Sequence, residues 1–216
     1  MSTSAATLSS LKTRLLQALM DSSGAIWAAN DQEEAIRRAL HEYSIVCPRR
    51  AVSALALSGK LSSNGREIDI ASISGLVSVS QVWAPYSAAE DKPNVRRFEH
   101  WADQQKLYIA DGSPLTGSDT ARIFYTTTHT LNGLDSAAAT TFRFGDDSII
   151  LLGAIGYAAQ SRALDLTEQI TLDRQTVEYL RSLASDSLTA FRQFLNAIRT
   201  ETRKVFGDLS GLPENR

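Results

Sequence analysis

The sequence predicts an α+β fold, with two N-terminal and two C-terminal helices forming a four-helix base and an antiparallel β subdomain inserted between the pairs. Two observations predict it. Apolar residues keep a helical spacing near both ends of the chain and alternate along its middle. The strongest signal lies at 171–205, where Val177, Leu180, Ala184, Leu188, Phe191, Leu195 and Ile198 advance in steps of three and four. Such steps place all seven on one face of a helix, and a helix of that span would be roughly 50 Å long. Helices and strands that segregate along a chain belong to α+β folds.

The elements follow in order. Leu8, Leu11, Leu15, Leu16 and Leu19 form a helical stripe, so a first helix is expected over 5–20, with Gly24 as its left-handed exit. Asn30 stands three residues before Glu33, a cap-like spacing. Ala35, Ile36, Ala39, Leu40 and Tyr43 then give a helix over 31–43 its buried side, and Pro48 stops it. From Arg50 the period falls to two. Val52, Ala54 and Ala56 alternate, Ser63-Asn64-Gly65 is a hairpin-type turn, and Glu67 to Ile70 alternates again. In Leu76 to Trp83, Val77, Val79 and Trp83 share a face broken only by Gln81. Pro85 ends that strand and Ser87 to Pro93 reads as a surface loop. Phe98, Trp101, Leu107, Tyr108 and Ile109 suggest two short strands, and Arg122 to Thr128 is the clearest strand of all. A meander of about five or six short antiparallel strands is expected. Leu131 to Phe144 reads as a connector. Gly145-Asp146-Asp147 starts a helix over 147–163 that is apolar nearly all round, as suits one packed between others. Gly207, Gly211 and Pro213 mark a tail without periodicity. The expected divisions are 1–46, 47–130, 131–206 and 207–216.

Composition narrows the class. A chain of 216 residues buries a core without staples. The balance of 22 basic against 24 acidic residues gives no whole-chain attraction to nucleic acid. The single cysteine, Cys47, excludes an intramolecular disulfide and fits a reducing cytoplasm. Met1 to Thr7 lacks the basic and apolar run of a signal peptide. The longest apolar run, Ile149 to Ala159, is interrupted by Gly153 and Gly156 and falls short of the about 20 residues of a membrane span.

The chemistry-bearing residues do not assemble into a motif. His41, His100 and His129 lack metal-ligand spacing, so neither a metal nor a cofactor is expected. A Cys47 nucleophile with His129 as base is outweighed by the reading of Cys47 as a small buried hydrophobe beside Ile45-Val46. Ser136 lacks a nucleophile elbow, and Ser58-Gly59-Lys60 lacks the glycine spacing of a phosphate loop. Asp146-Asp147 is explained by helix capping. Asp111, Ser113, Ser118 and Asp119 offer oxygens without the spacing of a calcium loop. Arg37-Arg38, Arg49-Arg50, Arg96-Arg97 and Arg203-Lys204 are mostly flanked by acids and read as solvated faces. No enzyme activity is expected.

Several stretches in this order resemble the head-to-tail adaptor (connector, or neck) proteins of tailed bacteriophages. They are Leu40 to Ser44 before Pro48, the Val79 to Pro85 strand, Arg122 to Leu134, Leu152 to Arg162, and the long terminal helix with Phe191 and Leu195. The resemblance covers roughly residues 5 to 200. It implies a virion protein, made in host cytoplasm, that forms a ring of about twelve copies between portal and tail. Its partners would be itself, the portal protein and the next neck or tail protein, with non-specific DNA contact in the channel and no membrane. It also implies a portal-docking tail at Gly207, Leu209, Leu212, Pro213 and Arg216, ordered on binding. Gly153 and Gly156 would let neighbouring helices approach closely. On the last helix, Ser182, Ser185, Ser187, Thr189 and Gln193 line much of the surface beyond the apolar stripe, and that muted face suits subunit packing. The alternatives are another virion component (tail terminator, baseplate or decoration protein) or a cellular binding module.

Overall fold

A computed structural model describes residues 6–21, 23–89, 92, 94–167 and 174–207, the last eight of these by backbone alone. The fold is α+β, with four α-helices, antiparallel sheets and a long final helix. The chain divides into two compact units, Met1–Cys47 with His129–Arg216, and Pro48–Thr128.

The first unit is helical. Helix α1 (Leu8–Ala18) starts with a reciprocal cap: the Thr7 hydroxyl accepts from the Ser10 N–H at 3.2 Å, and the Ser10 hydroxyl from the Thr7 N–H at 3.0 Å. At its end the Asp21 N–H donates to the Leu16 carbonyl and the Met20 N–H to the Gln17 carbonyl. This is the Schellman arrangement. The left-handed exit residue is Met20, at φ 55°, and not Gly24. Asp21 explains the earlier exit, because its carboxylate gathers the N–H groups of Ala25, Ile26 and Trp27 and fixes the turn. Helix α2 (Ala29–Val46) begins before the expected cap. Asp31 accepts from the Ala28 N–H at 3.2 Å, while Glu33 pairs with Lys12 of α1 at 2.7 Å.

Helix α3 (Asp147–Thr167) packs on α1, α2 and helix α4 (Arg174–Gly207). That central position explains its nearly continuous apolar surface. The carboxylates at its start reach other helices. Asp147 pairs with Arg14, and Asp146 accepts from the Tyr43 hydroxyl, which ties the start of α3 to α1 and α2. The connector before it is also part of the core, since Leu131, Leu134 and Phe142 are buried with the helices. Aperiodic sequence conceals that burial.

The second unit holds β1 (Arg49–Ala56), β2 (Glu67–Asp69), β3 (Leu76–Trp83), β4 (Val95–Arg96), β5 (Phe98–Trp101), β6 (Lys106–Ile109) and β7 (Thr120–Thr127). They form two antiparallel sheets, ordered β1-β7-β3-β4 and β2-β6-β5. The expected meander is therefore corrected. The turn at Ser62 to Gly65 brings Leu61 to Ile68 only as an isolated bridge, and β1 pairs instead with the distant β7. Leu55, Leu57, Ile68, Val82, Leu107, Ile109 and Ile123 fill the core of this unit.

The alternation expected in β3 is also corrected. Register shifts fall between Leu76 and Ser78 and between Val79 and Gln81. Each irregularity changes which side chain faces inward. Val82 is buried in consequence, while Val77 stays exposed.

Candidate interaction surfaces

In the helical unit, α4 has two unlike faces. Leu180, Ala184, Leu188, Phe191 and Leu195 are buried, and Val177 and Ile198 pack at the margin of the same core. On the other side Ser182, Ser185, Thr189 and Gln193 are exposed in steps of 3, 4 and 4. Two large side chains flank them, Tyr179 at 62% and Phe194 at 52% exposure. Ser187, expected on this face, is buried among the core positions.

Gly153 and Gly156 do not face outward either. Both are buried within the chain. A Cβ on Gly153 would lie 3.0 Å from Ala39 Cβ and from the Phe191 ring, and one on Gly156 would lie 2.7 Å from Leu188 Cγ. Their small size lets α3 approach α2 and α4 of the same chain, which corrects the intersubunit role implied for them. Leu209, Leu212, Pro213 and Arg216 of the expected docking tail lie outside the described residues. Gly207 is the last residue of α4.

Polar contacts lock the three helices. Glu42 of α2 accepts from the Tyr157 hydroxyl of α3 and from Arg192 Nε of α4 at 3.2 Å. Burial, then the Glu42 carboxylate, pushes the Tyr157 phenol up, and Glu42 raises Arg192. The Tyr43 phenol is pushed up by burial and then by Asp146. His129 lies at 5.3 Å from the Tyr43 ring, its Nε2 is 2.8 Å from the Cys47 carbonyl oxygen, and its Nδ1 is 3.2 Å from the Thr141 hydroxyl. The imidazole thus meets the backbone of Cys47, and burial followed by Asp146 raises the thiol. An activated cysteine needs the opposite shift.

In the β unit, the two loop carboxylates weighed for an ion accept backbone N–H groups. Asp111 accepts from the Arg97 N–H at 3.0 Å and Asp119 from the Thr116 N–H at 2.7 Å. Among the described residues no three His, Cys, Asp or Glu side chains gather as a metal site.

One cluster escaped the sequence reading. The Arg122 guanidinium lies over Trp83, Tyr86 and Phe124 at 5.4, 5.1 and 5.4 Å, and donates to the Tyr86 hydroxyl at 3.0 Å. Strand pairing creates it, since Trp83 stands opposite Arg122 and Gln81 opposite Phe124. Beside it an open cleft of about 440 Å³ is lined by Arg50, Val52, Ser80, Gln81, Phe124 and Thr126. The strands of this sheet carry Arg49, Arg50, Arg96 and Arg122 and no acidic residue.

No protein-family model matches this chain, and no curated protein matches it. No helix among the described residues is long and apolar enough to cross a membrane. The exposed face of α4 carries small hydroxyl and amide side chains among the exposed Glu178, Arg181, Asp186 and Arg192.

Proposed function

We propose that the protein is a structural component of a phage virion, a head-to-tail adaptor that assembles as a ring between portal and tail. One observation carries the reading. Along residues 174–199 the bundle covers one side of α4 and leaves Ser182, Ser185, Thr189 and Gln193 exposed, together with Tyr179 and Phe194. Glu178, Arg181, Asp186 and Arg192 border that row, and the short side chains of Ser182, Ser185 and Thr189 lose little rotamer entropy on being covered. In a cyclic ring the contact is heterologous, so this face meets a different surface of the next copy. The chain's net charge of −2 leaves little general repulsion between copies. The β unit serves the next neck ring or the tail, and the segment from Gly207 to Arg216 docks on the portal.

Electron microscopy of the purified protein, alone and mixed with the portal protein of the same virion, tests this reading. Rings with a central channel that cap the portal are expected. A compact monomer that ignores the portal contradicts it. Removing 207–216 is expected to leave the circular dichroism spectrum and melting temperature unchanged while abolishing portal attachment. Loss of folding on that truncation would show that the segment is part of the fold and not a docking tail.

A further inference from the structure

Strand β1 is an outer strand of its sheet, with β7 on one side. An open strand edge is a template for another strand, and proteins usually blunt such edges with proline, lysine, bulges or short length. The other sheet edges in this unit are blunted. β4 has two residues and lies against the irregular β3, β2 has three and β5 has four. β1 has eight residues in unbroken register with β7. It contains no proline, and its only charged residues, Arg49 and Arg50, lie together at one end. From Ala51 to Ala56 its backbone bonds only to β7 among the described residues. Its outer-face positions are Val52, 45% exposed, and the exposed Ala54 and Ala56.

We propose that β1 is a self-association edge, where two copies of this chain pair β1 to β1 in antiparallel fashion about a two-fold axis. Length selects the occupant, because β2, β4 and β5 have two to four residues, whereas a second β1 can pair along residues 49–55. Charge selects the direction. Parallel pairing would set Arg49 and Arg50 beside the same residues of the other copy, and like charges directly opposite are destabilising. Antiparallel pairing sets each arginine pair against the uncharged Ala54 to Ala56 end. Directly paired residues point to the same face, and of the two-fold registers that keep the outer faces together, the one centred on Val52 sets the exposed valine against its copy instead of Ser53 against Ser53. The contact is isologous, unlike the heterologous contact of a ring, so it stands apart from the adaptor reading. One strand pair buries less than a standard interface, so the association is weak and depends on concentration.

Sedimentation velocity over a concentration series tests the pairing. The full chain carries Ser185→Glu and Thr189→Glu, so that any association through α4 is suppressed. In that background a monomer–dimer equilibrium is expected. Val52→Lys and Val52→Asp are each expected to weaken it at least tenfold, with circular dichroism unchanged. An equimolar mixture of the two is expected to recover dimer, because lysine then meets aspartate at the two-fold. A monomer at every concentration overturns the proposal. So does a dimer indifferent to both Val52 substitutions, or a mixture that fails to recover.

Discussion

Gly156 is the helix glycine at which packing leaves least room. An added Cβ would meet Leu188 Cγ at 2.7 Å and the Leu188 backbone nitrogen at 3.2 Å. A side chain can rotate away from such a clash, but helix backbone cannot. Overpacking a core costs roughly 1–3 kcal/mol, against roughly 1 kcal/mol that alanine gains over glycine in a helix interior. Gly156→Ala is thus expected to lose up to about 2 kcal/mol net in urea unfolding. A raised midpoint would mean that α3 and α4 sit farther apart. Asp21 yields a prediction about pH. Burial pushes its carboxyl up, but the N–H groups of Ile26, Trp27 and Ala25 and the Ser23 hydroxyl outweigh that, and the net shift is downward. A carboxylate depressed in the folded state stabilises above its unfolded value of about 4 and loses that contribution as pH falls through the folded value. The advantage of wild type over Asp21→Asn should be full at pH 7 and shrink with acidification. A difference independent of pH would show that the carboxylate's charge is irrelevant to the turn.

Among the elements, the exit of α1 shows what local pattern conveys and what it omits. The stripe from Leu8 to Leu19 announces the helix, but the exit was expected at glycine and falls on Met20, 89% exposed and left-handed. A left-handed residue other than glycine costs roughly 1–2 kcal/mol, and glycine gives back roughly 0.4–1 kcal/mol through the flexibility of the unfolded chain. Met20→Gly is expected to raise stability by up to about 1 kcal/mol in calorimetry, since no packing is lost. A decrease would locate a contact made by the methionine. The α+β class was legible because helical stripes and alternation are local signals. Strand order was not, because the pairing of β1 with β7 joins segments about seventy residues apart, beyond the reach of any local period. The irregularities of β3 were hidden for a related reason, since a bulge is defined against a partner strand. The Arg122 cluster is invisible until Trp83 is set opposite it. Gly153 and Gly156 stood out in the sequence, but small residues look the same whether the helix they admit belongs to the same chain or another.

The core side of α4 was legible as a stripe, and Ser182, Ser185, Thr189 and Gln193 were legible as the opposite face. What that face meets is a property of another molecule, and no spacing in one chain encodes it. Carboxylates placed there separate folding from assembly. Ser185→Glu with Thr189→Glu lies on exposed helix surface, where substitutions usually stay within about 0.5 kcal/mol, so the melting temperature should hold. In a covered interface the same two charges would be desolvated without partners, a large cost. Electron microscopy of the wild-type chain and this double variant at equal concentration is the most direct test of the proposed ring. Closed rings of one rotational symmetry are expected for the wild type and none for the variant. Rings in both, or rings in neither, would contradict the proposal.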